Sequence, residues 1–217
     1  LIPPDIRGMG TVLSKATGVI AGLDVALEVF RQTNPAVKTR VLMADGSEVA
    51  PGDMVAEVEG SIAGILKGER VALNFLQHLS GIATETSRYV KAVQGTRARI
   101  LDTRKTVPGL REMEKYAVRV GGGHNHRFGL YDQILIKDNH LAALDGDIAT
   151  AVALAREASP ELKIEVEADT VEQARAAADA GADIVLLDNM NCDELREAIE
   201  QIDGRAKTEA SGDVTLE

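Results

Sequence analysis

The hydrophobic and polar positions follow different patterns in two regions of the chain. Within residues 1–67, which are rich in glycine and valine, apolar and polar residues alternate over short stretches, as is typical of strands joined by tight turns. Asp45-Gly46 lies between the apolar residues 41–43 and 49, which predicts a β-hairpin, and Pro51-Gly52-Asp53 predicts a second turn. We therefore expect a small mixed domain with several strands here.

A long helix is predicted over residues 68–94. Its apolar residues recur at the spacing i, i+3, i+4, i+7, i+11 and form one stripe: Ala72, Phe75, Leu76, Leu79 and Ala83. Gly81 leaves open whether the helix is unbroken. Arg70 lies at the predicted start of this helix, where a cation gains nothing from the helix dipole. That position is unfavourable without an anionic partner, although a solvated helix start is the simpler interpretation.

From about residue 97 the pattern changes to an alternation of strands and helices. The strand-like segments are 99–103, 133–137, 162–167, 184–188 and 205–210. Thr170 and Gln173 form a predicted capping box for one helix, which Gly181 ends, and Asp193 is the predicted cap of the next. The alternation predicts a parallel sheet, either closed as a barrel or open and doubly wound. We place the domain boundary between residues 94 and 95.

Each of these five strands finishes in polar or ionic residues. They are Arg104-Lys105, Lys137-Asp138-Asn139, Glu167, Asp188-Asn189 and Ser211-Gly212. The carboxyl ends of parallel strands meet at one edge of the sheet, which is where barrels and open sheets both place their active sites. The sequence therefore predicts an active site at this edge.

The charge distribution indicates what this edge binds. The chain has 24 Lys+Arg against 34 Asp+Glu, yet residues 97–140 hold nine basic and five acidic residues and three of the four histidines. Clustered cations on an acidic protein imply a bound anion. The cluster is too small for the basic face of a duplex-binding protein, and with 3% aromatic residues base stacking is not expected either.

Composition also restricts the environment of the protein. The single cysteine, Cys192, excludes an internal disulfide and fits a reducing compartment. No apolar run is long enough for a membrane span, and no signal peptide is visible. We therefore expect a cytoplasmic protein that does not bind membranes. The chain starts at Leu1 and stops just after a strand-like segment, so we expect both ends to be truncated.

Four groups of residues are candidates for the chemistry, each with a simpler alternative. Arg104-Lys105 offers a planar guanidinium and a point charge to a carboxylate or phosphate, although it could be a solvated turn. Lys137, at the end of an apolar strand, could contact a ligand or reach the surface. Glu167 and Asp188 suit Mg²⁺ or sugar hydroxyls, while the alternation over 162–167 also fits an edge strand.

The fourth candidate is the glycine-rich segment 121–127, Gly-Gly-Gly-His-Asn-His-Arg. We expect its backbone to lie close to an anion, with His126 and Arg127 as donors, because three glycines would otherwise make a costly flexible loop. A zinc site is disfavoured, since the two histidines lack nearby cysteines or a carboxylate cluster.

Seven segments together resemble the quinolinate phosphoribosyltransferases almost end to end. They are GERVALNFLQHLSGIAT (68–84), DTRKTVPGLR (102–111), KYAVRVGGGHNHRFGL (115–130), ILIKDNH (134–140), IEVEADT (164–170), ADIVLLDNM (182–190) and EASG (209–212). The resemblance implies an N-terminal α/β sandwich domain over 1–94 and an incomplete α/β barrel over 95–217, the type II phosphoribosyltransferase fold. It implies a pentosyltransferase that converts quinolinate and phosphoribosyl pyrophosphate into nicotinate mononucleotide, carbon dioxide and pyrophosphate, with Mg²⁺, in NAD biosynthesis.

The resemblance also implies a role for individual residues. Arg70, Thr103, Arg104, His126 and Arg127 would contact the substrates, the arginines and His126 at the quinolinate carboxylates. Lys105 and Lys137 would lie near the reacting centre and the phosphates, and Glu167 and Asp188 would hold the ribose hydroxyls and the metal, directly or through the substrate. Ser211 and Gly212 would form part of the 5′-phosphate site. We expect Lys105, Lys137, Glu167 and Asp188 to be catalytic.

Finally, the resemblance implies a homodimer in which Arg70 acts in the partner's site, while further assembly is left open. The family's opening helical segment and its closing strand are absent, so we expect this chain to be a fragment of marginal stability or part of a longer protein. Two alternatives remain: a relative of the same fold linked to molybdenum transport, and a non-catalytic anion-binding protein.

Overall fold

The computed structural model describes residues 2–3 and 5–216. The chain divides between His126 and Arg127 into two compact units. We call them unit 1, which ends at His126, and unit 2, which begins at Arg127, and we describe each by itself.

Unit 1 is a mixed α/β structure built on antiparallel strands. Its elements are β1 (Arg7–Leu13), β2 (Gly18–Val19), α1 (Leu23–Thr33), β3 (Lys38–Val41), β4 (Glu48–Val49), β5 (Met54–Ser61), α2 (Ile62–Ala92) and α3 (Arg111–Val120). Three strands form a sheet in the order β1-β5-β3, and β2 pairs with β4. Helices α1 and α2 pack with the three-stranded sheet around a core that includes Leu27, Phe30, Val55, Val58 and Leu76.

Helix α2 runs unbroken for 31 residues through Gly81, and it begins six residues earlier than predicted. Strand β5 leads directly into it at Ser61, so no turn residues mark its start. The predicted apolar stripe is buried at Ala72, Leu76 and Leu79, among others. Arg70 is consequently the ninth residue of the helix, so our argument from the helix dipole at this position was wrong.

The hairpin predicted at Asp45-Gly46 is also absent, because β3 pairs with β5 and β4 pairs with β2. The Asp45 carboxylate instead accepts hydrogen bonds from the backbone N–H groups of Gly22 (2.7 Å) and Leu23 (3.1 Å). These are orphan donors at the start of α1, whose N-cap residue is a glycine and provides no side-chain cap. A distant aspartate therefore caps this helix.

Unit 2 contains the parallel sheet. Its elements are β6 (Ile134–Ile136), α4 (Asp138–Ala142), α5 (Ile148–Ala158), β7 (Ile164–Ala168), α6 (Val171–Asp179), β8 (Ile184–Asp188), α7 (Cys192–Ile202) and β9 (Lys207–Ser211). The four strands lie in the sequential order β6-β7-β8-β9 and all neighbours are parallel. A sequential order without reversal is that of a barrel segment rather than a doubly wound sheet.

The four predicted strands of unit 2 are confirmed, whereas the strand predicted over 99–103 is reduced to one parallel bridge between Leu101 and His124. Thr170 caps α6 as predicted, but the Gln173 side chain accepts from Asp169 N–H rather than completing the box. The cap of α7 is Asn191, whose side chain accepts from two backbone N–H groups, so the assignment to Asp193 was wrong. Asp193 lies in the first turn.

Candidate active site

In unit 1 the segment 102–106 is held in a tight turn by hydrogen bonds to its own backbone. The Thr103 hydroxyl accepts from Lys105 N–H at 3.0 Å. The Arg104 carbonyl accepts from Thr106 N–H at 3.0 Å and from the Arg111 guanidinium at 3.1 Å. The side chain of Lys105 is left exposed. Arg104 is half-buried, and its Nε, which is shielded from solvent, has no hydrogen-bond partner within residues 2–3 and 5–216.

This turn is joined to the histidine loop by one buried carboxylate. Asp102 accepts from Lys115 Nζ at 2.5 Å, from His126 N–H at 2.8 Å and from the Asn125 side-chain amide at 2.5 Å. Lys115 also donates to the His126 carbonyl at 3.1 Å. Its side chain is only 1% exposed. Lys115 belongs to the basic cluster of residues 97–140, and nothing in its spacing indicates that it is buried.

Packing explains two of the three glycines that precede His124. A Cβ atom on Gly121 would lie 2.4 Å from the Ala83 carbonyl oxygen, and one on Gly123 would lie 2.7 Å from Thr86 Cγ2. Both contacts are far shorter than real Cβ contacts. Our expectation that these glycines let the backbone approach an anion was therefore wrong at Gly121 and Gly123, because helix α2 occupies that space.

Unit 2 presents a polar face on its parallel sheet, which we call the polar sheet face. Ile136 of β6 pairs with Val166 of β7. The residues that follow them, Lys137 and Glu167, therefore lie side by side. On the other side of β7, Glu167 pairs with Leu186 of β8. Asp188 lies two residues after Leu186 on the same strand and pairs with Ser211 of β9. Side chains two residues apart share a face. One face of the sheet therefore carries Gln133, Lys137, Glu165, Glu167, Asp188, Glu209 and Ser211.

Three of the predicted residues on this face have defined partners. The ammonium group of Lys137 forms an ion pair with the carboxylate of Glu167, and the Lys137 backbone N–H donates to His140 Nδ1 at 2.9 Å. The Lys137 side chain is 43% exposed and that of Glu167 only 12%. Asp188 accepts from the Asn189 side-chain amide at 2.8 Å. Since β7 lies between β6 and β8, the edge-strand interpretation of 162–167 is excluded.

The loop after β9 is fixed to the loop after β8. Asn189 N–H donates to the Ser211 carbonyl at 2.9 Å. Gly212 has a φ of +86°, and a Cβ atom there would lie 2.0 Å from the Asn189 side-chain oxygen. Only glycine fits this position, because Asn189 lies directly against the backbone after Ser211.

Two carboxylates on the polar sheet face were missed by our sequence analysis. Glu165 is fully buried and accepts from the Gln133 side-chain amide at 2.6 Å. A carboxylate oxygen of Glu209 lies within 4.8 Å of one of Glu165. The alternation over 162–167 does place Glu165 beside Glu167, but the sequence does not show that β7 is a central strand, flanked by β6 and β8.

The remaining two predicted arginines behave differently from each other. In unit 2, Arg127 donates to the Gln133 carbonyl at 3.2 Å and so lies beside the start of β6. In unit 1, Arg70 is exposed on α2. Its side chain makes no hydrogen bond or ion pair to any other part of the described chain. The structure thus groups Thr103, Arg104, Lys105 and His126 through Asp102, and Lys137, Glu167, Asp188 and Ser211 on one sheet face.

One group near the turn network has a strongly shifted pKa. Tyr116 on α3 donates to Asp45 at 2.7 Å. Partial burial, together with this hydrogen bond and the negative charge of Asp45, raises the pKa of Tyr116 to about 12. The phenol therefore stays protonated at neutral pH and serves as a structural donor.

Among the described residues, no helix has the length and apolar character needed to cross a bilayer.

Comparison with known proteins gives one consistent result. Residues 1–80 match the N-terminal domain, and residues 82–217 the C-terminal domain, of quinolinate phosphoribosyl transferase. The chain is 47% identical to a probable nicotinate-nucleotide pyrophosphorylase [carboxylating] of Bacillus subtilis, over 95% of this chain and 71% of that protein. It is 46% identical to the corresponding Mycobacterium leprae protein, over 100% and 78%.

A solved structure agrees with the sequence matches. The crystal structure of NadC from Streptococcus pyogenes superposes with a TM-score of 0.94 at 44% identity, over 99% of this chain and 76% of that chain. Both domain models, the relatives and the structural similarity thus extend over nearly all of the 217 residues. The chain belongs to the quinolinate phosphoribosyltransferase family, and it has that family's type II phosphoribosyltransferase fold.

Proposed function

We propose that the protein is a quinolinate phosphoribosyltransferase, which transfers the phosphoribosyl group of phosphoribosyl pyrophosphate to quinolinate in the de novo synthesis of NAD. The observation that carries the proposal is the polar sheet face, where the Lys137–Glu167 ion pair and Asp188 lie at the carboxyl edge of a parallel sheet. The names of the relatives, nicotinate-nucleotide pyrophosphorylase [carboxylating], support the same reaction.

The cationic residues would bind the substrates. Quinolinate carries two carboxylates, and phosphoribosyl pyrophosphate carries a phosphate and a pyrophosphate. The site must therefore offer several positively charged hydrogen-bond donors. Arg104, His126 and Arg127 would contact the quinolinate carboxylates, because a guanidinium matches a carboxylate with two parallel hydrogen bonds. Because the Arg104 Nε is shielded from solvent, the terminal nitrogens of its guanidinium would make this contact. Thr103 would support that contact from the same turn.

The carboxylates would stabilise the reacting sugar. The C1–oxygen bond to pyrophosphate breaks as the ring nitrogen of quinolinate forms its bond to C1, and C1 gains positive charge in between. Glu167 and Asp188 would stabilise that charge through their carboxylates and hold the ribose hydroxyls. Lys105 and Lys137 would stabilise the departing pyrophosphate. Ser211 and Gly212 would form part of the 5′-phosphate site at the end of β9.

Decarboxylation would then need no covalent catalyst. The new bond makes the ring nitrogen a pyridinium cation. Breaking the bond between ring carbon 2 and its carboxylate leaves the electron pair on that carbon, next to the positive nitrogen. Carbon 2 then takes one proton, and the products are nicotinate mononucleotide, carbon dioxide and pyrophosphate.

We propose Mg²⁺ as the cofactor, and the polar sheet face fits it. Hard oxygen ligands suit this ion, which usually retains several waters and binds through one or two carboxylates together with substrate phosphates. Asp188 and Glu167 would hold it, directly or through the substrate. The ion would neutralise the pyrophosphate as it leaves.

We also propose a homodimer in which each site receives Arg70 from the partner chain. The exposed Arg70 side chain, which has no ionic partner within the described residues, supports this role. Arg70→Ala and Lys105→Ala variants should each be inactive. Random mixing of the two makes about half of the dimers mixed, and each mixed dimer would have one intact site out of two. Mixing should therefore restore about a quarter of the wild-type activity. No recovery in mixtures shown by native mass spectrometry to contain mixed dimers would contradict the role in trans.

The direct test of the reaction is product formation by the purified chain with phosphoribosyl pyrophosphate and Mg²⁺. We expect nicotinate mononucleotide and pyrophosphate to form with quinolinate but not with nicotinate. Lys137→Met should lower kcat by about 100-fold or more, because it removes a charge at the leaving group. Lys163→Met is the matched control, since Lys163 is exposed near the opposite end of β7 and should leave kcat unchanged. The proposed function would be refuted if no product formed with either quinolinate or nicotinate.

A further inference from the structure

We infer that Lys115 is a positioning residue, which orients the two segments that carry the cationic substrate contacts of unit 1; this role rests on the proposed function. Lys115 is the largest fully buried side chain of the described residues. Its ammonium group contacts Asp102 at 2.5 Å and the His126 carbonyl at 3.1 Å. It therefore lies between the turn 103–105 and the histidine loop.

The contacts fix both peptide groups of His126. Its N–H donates to Asp102 at 2.8 Å, and its carbonyl accepts from Lys115. With both peptide groups held, the backbone of His126 is fixed, and with it the direction in which its side chain leaves the chain. Asp102 immediately precedes Thr103, so the same ion pair also fixes the start of the turn that carries Arg104 and Lys105.

The electrostatics argue against a purely stabilising role. Moving a lysine and an aspartate out of water is costly, and well-packed apolar side chains of similar size often stabilise a protein as much or more. The Lys115–Asp102 pair is nearly completely buried, with side chains 1% and 8% exposed. An apolar pair could fill the volume but could not hold three hydrogen-bond donors from two segments at one carboxylate.

The pair also adds no net charge to the site, because each charge cancels the other. Lys115 would thus influence the reaction through geometry and not through attraction of the anionic substrates. Loss of correct orientation lowers the rate of the bound substrates more than it lowers binding. We therefore expect Lys115→Met to lower kcat by about 10- to 100-fold while changing the KM for each substrate by less than about fivefold.

The test compares Lys115→Met with Lys91→Met, a control that removes an exposed lysine of unit 1 whose ion pair with Glu48 lies on the surface. Lys115→Arg keeps the charge and should retain more activity than Lys115→Met. The chain has four histidines, so the NMR signal of the His126 imidazole can be assigned by a His126→Gln spectrum. This signal should shift in Lys115→Met and stay in place in Lys91→Met.

Lys115→Met leaves a buried aspartate uncompensated and could fail to fold. The double variant Asp102→Asn, Lys115→Met removes both charges, so we expect it to fold, to show the reduced kcat and to have a shifted His126 signal. Wild-type kcat and an unshifted signal in the folded double variant would overturn the inference. The signal also separates the two proposals: an inactive wild type contradicts the proposed function, while the His126 shift still decides whether Lys115 positions that residue.

Discussion

Replacing Gly121 by alanine separates two explanations of the glycine-rich loop. If the glycines allow an anion to approach the backbone, a methyl group should weaken substrate binding. If they allow the loop to pack against helix α2, the methyl group should destabilise the fold. Gly121 has a φ of −72°, which alanine adopts without strain, so the effect of the substitution comes from the added carbon alone.

The structure gives the expected magnitude. The added Cβ would lie 2.4 Å from the Ala83 carbonyl oxygen and 2.8 Å from Thr86 Cβ. Both residues are buried in the middle of α2, so the backbone there cannot move cheaply. Overpacking of this kind typically costs about 1–3 kcal/mol, and a clash with main-chain atoms belongs at the upper end. Glycine-to-alanine exchange also restricts the unfolded chain, which offsets up to about 1 kcal/mol. We expect a net loss of about 2 kcal/mol.

The assay is urea unfolding followed by circular dichroism, combined with the KM for phosphoribosyl pyrophosphate measured without urea. Gly81→Ala is the matched control. Gly81 lies in the interior of the same helix, is exposed, and would have nothing within 4 Å of an added Cβ atom. Alanine there should raise the free energy of unfolding by about 1 kcal/mol, the usual difference in helix propensity.

The packing account predicts a lower unfolding midpoint for Gly121→Ala, a higher one for Gly81→Ala, and little change of KM for Gly121→Ala once only folded protein is counted. An unchanged midpoint with a KM raised tenfold or more in Gly121→Ala would refute the packing account and restore the anion interpretation.

Four further predictions concern the local structure. Asp45→Ala removes the distant cap of α1 and should lower the free energy of unfolding by about 1–2 kcal/mol, measured by urea unfolding. Absorbance titration should show Tyr116 ionising at about pH 12, and the same Asp45→Ala change should lower that pKa toward 10; an unchanged titration curve would contradict the hydrogen bond. The pKa of Tyr116 is higher in the folded than in the unfolded protein, so its contribution to stability is complete below about pH 10 and is lost as the pH rises toward 12. Thermal unfolding across this range should show a falling midpoint temperature in wild type and a smaller fall in Tyr116→Phe. Asn191→Ala removes the capping box of α7 and should cost about 1 kcal/mol, whereas Asp193→Ala, in the first turn, should cost less.

The parallel sheet could be predicted from the sequence because its signals are local. The apolar runs of β6 and β8 are continuous, β7 alternates apolar and acidic residues, and polar residues lie at the end of each strand. Both the strands and the edge that carries the candidate site could therefore be recognised. The capping hydroxyl of Thr170 is likewise a local feature. Such signals depend on neighbours within a few residues and survive whatever the rest of the chain does.

The wrong cap of α7 was a choice between two neighbouring residues, but the errors with the largest consequences involve contacts between distant parts of the chain. Asp45-Gly46 has the sequence of a hairpin turn, but its carboxylate caps a helix more than 20 residues earlier in the chain. The glycines at 121 and 123 pack against a helix some 40 residues away. Lys115 has the sequence context of a solvated cation, and only the position of Asp102 explains its burial. None of these partners can be identified from spacing alone.

In the proposed reaction, phosphoribosyl transfer is coupled to the loss of one specific carboxylate. The most direct measurement uses quinolinate labelled with carbon-14 in the carboxylate at ring position 2, and counts released carbon dioxide against pyrophosphate in the same reaction. We predict one labelled carbon dioxide per pyrophosphate, and no labelled gas when phosphoribosyl pyrophosphate is omitted. Release of pyrophosphate without labelled carbon dioxide would contradict the proposed reaction. So would the absence of both products with the wild-type protein.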